Sequence, residues 1–297
     1  MSSNRIDFLC VGAEKSGTTW LDQVLRQHPQ VILPRRKELH YFNRAFVENP
    51  SLKNHNFDKP IEWYLSFFPP AGPDQIRGEV CPSYLWDEFA PQRIFEFNPE
   101  IKIFMILRDP VERTLSAWRY LMQRGLIRET SLSLDSLLRH SELLLKRSAY
   151  FEQVKRYLSI FPKNQVMIFL FDDMRKDHEE FIKKIERFLG IMEFVPQNIT
   201  EKVNVTGEPL LPVLNRSLAQ FRNIARSHLP PWALDGIRQL GLAEGLEQLR
   251  QLNRFHERSS SREVVKEEIR QWLMEYFRED IARLEDLLGV ELSAWKR

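Results

Sequence analysis

A lysine and several hydroxyl residues follow an apolar stretch near the beginning of the sequence. Residues 6–11 are short and apolar enough to form a buried strand, which runs directly into the segment Gly12-Ala13-Glu14-Lys15-Ser16-Gly17-Thr18-Thr19. Glycines allow a tight turn that brings backbone N–H groups close to a ligand, and a following helix adds its free N–H groups and positive dipole end. The segment therefore predicts a site for phosphate or sulfate, and a glycine turn without a ligand is the less favoured alternative.

The spacing of Gly12 and Gly17 matches the P-loop of nucleoside triphosphatases, G-x-x-x-x-G-K-[ST]. However, Thr18 stands where that motif has its lysine, and Lys15 lies three residues earlier. Acidic residues that could hold magnesium occur at two predicted strand ends, but they fit poorly with a displaced lysine. A kinase or NTPase with a displaced lysine therefore stays open as an alternative.

The segment Glu14-Lys15-Ser16-Gly17-Thr18-Thr19-Trp20-Leu21 resembles the 5′-phosphosulfate loop of sulfotransferases, which use 3′-phosphoadenylyl sulfate (PAPS). A second segment, 107–116, resembles the motif with which the same family binds the 3′-phosphate of the nucleotide. Arg108 and Ser116 are separated by eight positions, which is the family's spacing. An arginine offers phosphate a planar fork of donors. The two motifs occur in the expected order, and the chain is therefore identified as a member of the sulfotransferase family.

Two further segments resemble the glycan branch of that family, which includes the heparan sulfate enzymes. Residues 36–42 resemble its K-E-x-H-F-F segment, and residues 79–84 resemble its E-K-x-P-S-Y segment. Val80 stands where those enzymes often have a lysine near the sulfate. The resemblance is strong over residues 6–120, moderate over 145–190 and weak beyond.

The resemblance implies a donor, an acceptor and the roles of individual residues. PAPS is the implied sulfuryl donor, and the implied nucleotide-binding residues are Lys15, Ser16, Gly17, Thr18, Thr19, Trp20, Arg108 and Ser116. Lys15 would lie at the leaving-group oxygen, Glu38 would be the base, and residues 202–207 would provide a late contact with the nucleotide. His40 competes with Glu38, because an unperturbed histidine already titrates near neutral pH.

The implied acceptor is a hydroxyl of a saccharide, a lipid headgroup or a natural product. We expect no metal, because a sulfuryl group in transfer carries less negative charge than a phosphoryl group and a lysine can compensate it. A protein that keeps the fold and binds adenosine 3′,5′-bisphosphate (PAP) without transferring sulfate is a third hypothesis. The presence of both Glu38 and His40 argues against it.

The elements that must position these residues follow from hydrophobic periodicity. Strands are predicted at residues 6–11, 31–33, 78–81, 101–107 and 166–171, and helices from Trp20 and at 111–122, 150–161, 177–189 and 263–288. Residues 49–74 are predicted to be loops with a short helix around 61–68. Alternating strands and helices predict an α/β fold, a parallel sheet with helices on both faces. We expect one domain, 1–297, with a P-loop-like core at 6–190 and a mainly helical part at 191–297.

Composition excludes several classes of protein. The 43 Lys+Arg and 41 Asp+Glu residues leave a net charge of +2, so no nucleic-acid partner is indicated. Cys10 and Cys81 are too few for a disulfide scaffold or a cysteine-only zinc site. We see no signal peptide, and the longest apolar run, 166–171, is too short to cross a membrane. We therefore expect a cytoplasmic protein without a transmembrane segment, in which the sequons at 198, 204 and 215 are chance matches.

Overall fold

A five-stranded parallel sheet forms the centre of the molecule. The structure is a computed structural model that describes residues 5–127, 129, 131–197, 199 and 266–296. The strands of the sheet are β1 (Phe8–Gly12), β2 (Val31–Ile32), β5 (Ile76–Val80), β6 (Lys102–Leu107) and β7 (Val166–Leu170). They lie in the order β2-β5-β1-β6-β7, and every neighbouring pair is parallel. The predicted parallel sheet is confirmed.

Helices connect the strands of the sheet, and further helices come after its last strand in the chain. They are α1 (Thr18–Leu25), α2 (Ile61–Leu65), α3 (Ala90–Phe97), α4 (Pro110–Gln123), α5 (Leu134–Arg139), α6 (Ser141–Leu144), α7 (Phe151–Ile160), α8 (Phe171–Lys176), α9 (His178–Leu189) and α10 (Glu267–Leu288). Short 3₁₀ helices lie at Pro82–Tyr84, Lys163–Gln165 and Ser293–Lys296. The periodic helices predicted from sequence are present with shifts of a few residues at their ends.

The sheet is buried on both faces, as a parallel sheet requires. Successive residues of a strand point to opposite faces, so Leu9 and Val11 lie in one apolar cluster and Phe8 and Cys10 in the other. The cluster around Leu9 also contains buried residues of α4, α7 and α10, whereas the cluster around Phe8 contains residues of α1 and α9. The predicted helices on both faces are therefore confirmed, and Cys10 is a core residue.

The beginning of α4 is fixed by its own sequence. The Asp109 side chain accepts hydrogen bonds from the backbone N–H groups of Val111 and Glu112, and Pro110 occupies the first helical turn. Proline suits this position because its fixed φ matches the helix and the missing N–H would have no partner there. Strand β6 therefore ends at Leu107, and Arg108 lies in the short connection at the carboxyl edge of the sheet.

The interpretation of residues 49–74 as loops with one helix was wrong in part. Helix α2 is present, but strand β3 (Ala45–Phe46) pairs antiparallel with β4 (Asn49–Lys53) as a separate two-stranded sheet. Residues of β4 are mostly exposed, so they show no alternation of apolar and polar residues that would indicate a strand.

The end of the chain packs against the core. Helix α10 buries an apolar stripe comprising Ile269, Leu273, Phe277, Ile281 and Leu284. The helix predicted at 263–288 is confirmed over its described residues, whereas residues 200–265 of the predicted helical part lie outside the described residues. None of the described helices has both the length and the apolar composition needed to cross a membrane.

Candidate active site

The loop between β1 and α1 has the backbone geometry of an anion cradle. Gly17 has φ +82°, and a Cβ atom there would lie 2.5 Å from Cε of Met174. The positive φ favours glycine at this position, and a Cβ atom would also force the flexible end of the Met174 side chain to move. The first N–H groups of α1 have no partners within the helix and are available to a ligand. The predicted glycine loop is therefore present, with Lys15 in the left-handed region at φ 68°.

Ser16 is the most unusual polar side chain of this loop. It is fully buried, and its Oγ has no hydrogen-bond partner among the described residues. Buried polar groups nearly always have a partner, so an unpaired hydroxyl in a loop of free N–H groups suits an anionic ligand. Thr18 is buried and Thr19 half-buried beside it.

Lys15 is held against an aromatic ring of α4. Its Nζ lies 3.7 Å from the centroid of the Tyr120 ring, a cation–π arrangement. Burial lowers the pKa of Lys15 to about 8, and the neighbouring carboxylate of Glu14 opposes that shift. The ammonium group therefore remains mostly protonated at neutral pH.

Arg108 connects the two segments that are predicted to bind the nucleotide. Its Nη1 donates to the backbone oxygen of Lys15 at 3.0 Å, and its guanidinium lies over the ring of Phe171 at 4.9 Å. Ser116 is half-buried on α4, one turn beyond Glu112, whose carboxylate lies 3.6 Å from Arg108 Nη2. The structure thus brings the loop and Arg108 together, although 93 positions separate Arg108 from Lys15 in sequence.

Trp20 is engaged in the protein interior. Its indole N–H donates to the backbone oxygen of Ile199 at 2.8 Å, and its ring packs edge-on against His178 at 5.2 Å. A nucleotide contact of Trp20 stays a prediction. The proposed late contact, residues 202–207, lies outside the described residues.

Glu14 has a role that the sequence did not reveal. Its carboxylate accepts from Arg113 Nη2 at 3.0 Å, from Arg147 Nη1 at 3.0 and 3.1 Å, and from Trp86 Nε1 at 3.2 Å. Burial alone would raise the pKa of Glu14, but the two arginines together lower it. The one hint in the sequence is the acid itself, because a carboxylate in a loop predicted to bind an anion requires cations nearby.

Glu38 and His40 are brought close to each other. Both have positive φ, 59° and 52°, and His40 Nε2 lies 3.8 Å from Glu38 Oε2. The other carboxylate oxygen of Glu38 forms an ion pair with Lys37. Glu38 is close enough to raise the pKa of Lys15 by its charge. The two candidate bases and the candidate lysine therefore share one site.

His40 is oriented from behind by Ser83, whose Oγ lies 2.8 Å from His40 Nδ1. Burial lowers the pKa of His40, although the charge of Glu38 opposes the shift. Cys81 Sγ lies 3.5 Å from the same nitrogen, so this cysteine has a histidine neighbour that sequence spacing did not indicate. Burial raises the pKa of Cys81 well above its ordinary value, which keeps the thiol protonated and unreactive.

Glu79 supports the segment that carries Glu38 and His40. Its Oε1 accepts from the backbone N–H of Leu39 at 2.8 Å, and its Oε2 accepts from Tyr64 at 2.9 Å and Tyr84 at 3.0 Å. The side chain is fully buried. Burial raises its pKa to about 7, and the three donors limit the rise. Val80, the next residue, packs into the apolar cluster around Phe8.

Among the described residues, no group of three or more His, Cys, Asp and Glu side chains could hold a metal ion. The expectation of metal-free chemistry stays a prediction.

Comparison with known proteins gives one consistent result. A family model described as "Sulfotransferase domain" matches residues 5–206. The membrane-associated sulfotransferase kil1 of Dictyostelium discoideum is 24% identical over 289 residues, covering 66% of this chain and 59% of the relative. Human heparan sulfate glucosamine 3-O-sulfotransferase 5 is 26% identical over 198 residues, covering 64% of this chain and 54% of the relative. The chain thus spans little more than half the length of these relatives, and its expected cytoplasmic location stays a prediction.

A solved structure matches over the whole chain. The crystal structure of a sulfotransferase from Alicyclobacillus acidocaldarius is 25% identical, covers 99% of both chains and gives a TM-score of 0.68.

Proposed function

The chain belongs to the sulfotransferase domain family, and on that basis we propose that it transfers a sulfuryl group from PAPS to a hydroxyl of an acceptor. One observation carries the proposal. The guanidinium of Arg108 donates to the backbone oxygen of Lys15 at 3.0 Å, which supports one nucleotide site built from both segments. Sequence spacing alone cannot produce that contact.

The nucleotide residues fit a doubly phosphorylated ligand. The N–H groups of residues 16–19 would hold the 5′-phosphate, which also offers a partner to the buried hydroxyl of Ser16. Arg108 and Ser116 would hold the 3′-phosphate. Lys15, partly desolvated beside Tyr120, would lie at the bridging oxygen, where negative charge develops as the S–O bond breaks.

We infer that Glu38 is the base and that His40 orients it. The acceptor oxygen attacks sulfur, the bond from sulfur to the bridging oxygen breaks, PAP leaves, and the hydroxyl proton passes to the carboxylate. Both ring nitrogens of His40 are already engaged, one with Ser83 and one facing Glu38. An ionised carboxylate has about four lone-pair directions, so Glu38 can accept a further proton while it contacts Lys37 and His40.

A saccharide is the acceptor class that we propose. Residues 36–42 and 79–84 resemble segments of the glycan branch, and the human relative is named for heparan sulfate glucosamine. Lipid headgroups and natural-product hydroxyls offer the same nucleophile. An acceptor screen with radiolabelled PAPS would separate the three classes, and label found only in lipid or aromatic products would contradict the saccharide assignment.

Calorimetric titration tests the nucleotide site directly. The protein is titrated with PAP in the presence of a chelator, and separately with ATP and magnesium. We expect PAP to bind without metal and adenosine 5′-phosphate (AMP), which lacks the 3′-phosphate, to bind much more weakly. Binding of ATP–magnesium but not of PAP would contradict the proposal and favour a kinase with a displaced lysine.

Lys15→Ala should separate chemistry from binding. Because the ammonium acts on charge that develops during transfer, we expect turnover to fall by about 10²–10³ while PAP affinity changes only a few-fold. Arg108→Ala is the matched variant, with weakened PAP binding as the main effect. Equal and small effects of both substitutions on turnover and affinity would contradict the assigned roles.

Glu38→Gln and His40→Gln should decide the base. Removing a general base lowers turnover by about 10²–10⁴, and we expect the larger loss for Glu38→Gln. The pH profile of single-turnover transfer provides the second readout, because the ascending limb should persist in His40→Gln. If the pH profile of His40→Gln becomes flat, the base is His40 and not Glu38.

A further inference from the structure

Glu112 lies between an arginine of the nucleotide site and an arginine of the last helix. Its Oε1 accepts from Arg270 Nη2 at 2.8 Å, and its Oε2 lies 3.6 Å from Arg108 Nη2. The first contact is a charge-assisted hydrogen bond, whereas the second is too long to be one. Glu112 is therefore held by Arg270, which lies 158 positions away on α10.

The surroundings of Glu112 carry an excess of positive charge. Burial alone would raise the pKa of Glu112, but Arg270, Arg108 and Arg119 hold it below its usual value. Arg175 and Arg119 are also close enough to Arg108 to act on it as like charges. Glu112 thus has several guanidinium groups around it, while Asp109 and Asp172 add negative charge to the same region.

The position of Glu112 creates a problem for a 3′-phosphate at Arg108. Glu112 and Ser116 are one turn apart on α4 and share a face of that helix. A carboxylate that turned fully onto Arg108 would occupy its donors and repel the phosphate. The side chains of Glu112 and Arg270 are 35% and 36% exposed, so either can rearrange without disturbing the core.

We propose that Arg270 is a positioning residue of the nucleotide site. It holds Glu112 by a direct hydrogen bond. The N–H groups of Arg108 that do not bind the backbone oxygen of Lys15 are thereby left for the 3′-phosphate. This inference rests on the proposed function, because it concerns the phosphate that distinguishes PAP from AMP. The last helix therefore contributes to nucleotide selection through Glu112 without touching the nucleotide.

Calorimetric titration of the full chain with PAP and with AMP tests this role in four proteins. They are the wild type, Arg270→Gln, Arg283→Gln and the double variant Arg270→Gln/Glu112→Gln. Arg283 is a matched control, because it also lies on α10 and pairs with a carboxylate, Glu152, at 2.9 Å. We expect Arg270→Gln to weaken PAP binding about five- to twentyfold and to leave AMP binding unchanged. The double variant should regain most of the PAP affinity, and Arg283→Gln should match the wild type.

Two other outcomes overturn the inference directly. An unchanged ratio of PAP to AMP affinity in Arg270→Gln would show that the contact is structural only. Failure of the double variant to recover would show that Glu112 is not the intermediary. If Arg270→Gln does not fold, Glu112→Gln decides alone, because we expect equal or tighter PAP binding and a loss would contradict the role. If the wild type binds no PAP, the proposed function fails first, and this inference fails with it.

Discussion

One half-buried and one fully buried carboxylate support the two parts of the candidate site, and they are held in opposite ways. Glu14, on the nucleotide side, accepts from the guanidinium groups of Arg113 and Arg147. Glu79, on the acceptor side, accepts from two tyrosine hydroxyls and one backbone N–H, all of them neutral. The pKa of Glu14 is accordingly lowered, whereas the pKa of Glu79 is raised to about 7.

The difference shows what each half of the site requires. In a loop proposed to bind phosphate, a bare carboxylate would repel the ligand, and Glu14 is neutralised by Arg113 and Arg147. Arg113 also donates to the backbone oxygens of Leu143 and Leu144, which makes it a structural residue in contrast to Arg108. The segment that carries the proposed base Glu38 is held through Leu39, and the donors to Glu79 are neutral, so they hold it without adding a charge.

Glu14→Gln should have the largest effect of the substitutions that probe this comparison. The side chains of Arg113 and Arg147 are only 1% and 5% exposed, and the substitution leaves both without a counter-charge. We expect the free energy of unfolding at pH 7 to fall by about 3 kcal/mol, measured by urea denaturation. This loss of stability should disappear as pH falls below 4.5, the ordinary pKa of a glutamate side chain. A carboxyl with a lowered pKa stabilises the folded protein only while it is ionised.

Glu152→Gln is the control for Glu14→Gln. Glu152 also pairs with an arginine, Arg283, but at the surface, where such a pair contributes less than about 1 kcal/mol. If Glu14→Gln costs no more than this control, the charged cage around Glu14 does not stabilise the loop.

Glu79→Gln should change the pH dependence of stability in the opposite direction. Glu79 binds its proton more tightly in the folded protein than in the unfolded chain, where the ordinary value is 4.5. The stability of the wild type relative to Glu79→Gln should therefore fall as pH rises from about 4.5 to about 7, with a limiting slope of about 1.4 kcal/mol per pH unit. Above about pH 7 this difference in stability should no longer change with pH. Thermal denaturation of both proteins from pH 4 to 9 measures the difference, and parallel curves would contradict the raised pKa.

The motifs of the site could be predicted from sequence because each is local. The loop from Gly12 to Trp20 combines a buried strand, a glycine turn and a helix start within a few residues, and the Arg108–Ser116 spacing follows from one strand end and one helix. The parallel sheet followed from alternating strand and helix patterns. These features need no knowledge of distant partners, and the structure confirms the parallel sheet and the strand, turn and helix of the loop.

The hydrogen bonds and ion pairs that support the site could not be predicted because they join residues that are far apart in the sequence. Glu14 meets Arg113 and Arg147 across 99 and 133 positions, and Glu112 meets Arg270 across 158. Long polar side chains at such separations carry no periodic signal. The exposed hairpin of β3 and β4 was missed for a related reason, since its residues lack the alternation that a half-buried strand shows.

Tyr84→Phe and Tyr64→Phe should give the smallest effects and resolve how the neutral anchor of Glu79 is built. Both substitutions remove one donor to Glu79 Oε2, but the Tyr84 hydroxyl also accepts from the backbone N–H of Tyr41 at 3.0 Å. Tyr84→Phe therefore leaves a buried N–H without its partner as well.

We expect Tyr64→Phe to lower the free energy of unfolding by about 1 kcal/mol and Tyr84→Phe by about 1 kcal/mol more. Each lost donor stabilised the ionised carboxylate, so the pKa of Glu79 should rise further and the pH at which stability becomes level should move upward in both variants. Urea denaturation at pH 6 and pH 8 measures both quantities. Equal losses for the two tyrosines would show that the Tyr41 contact contributes nothing, and an unchanged pH dependence would show that the hydroxyls do not set the ionisation of Glu79.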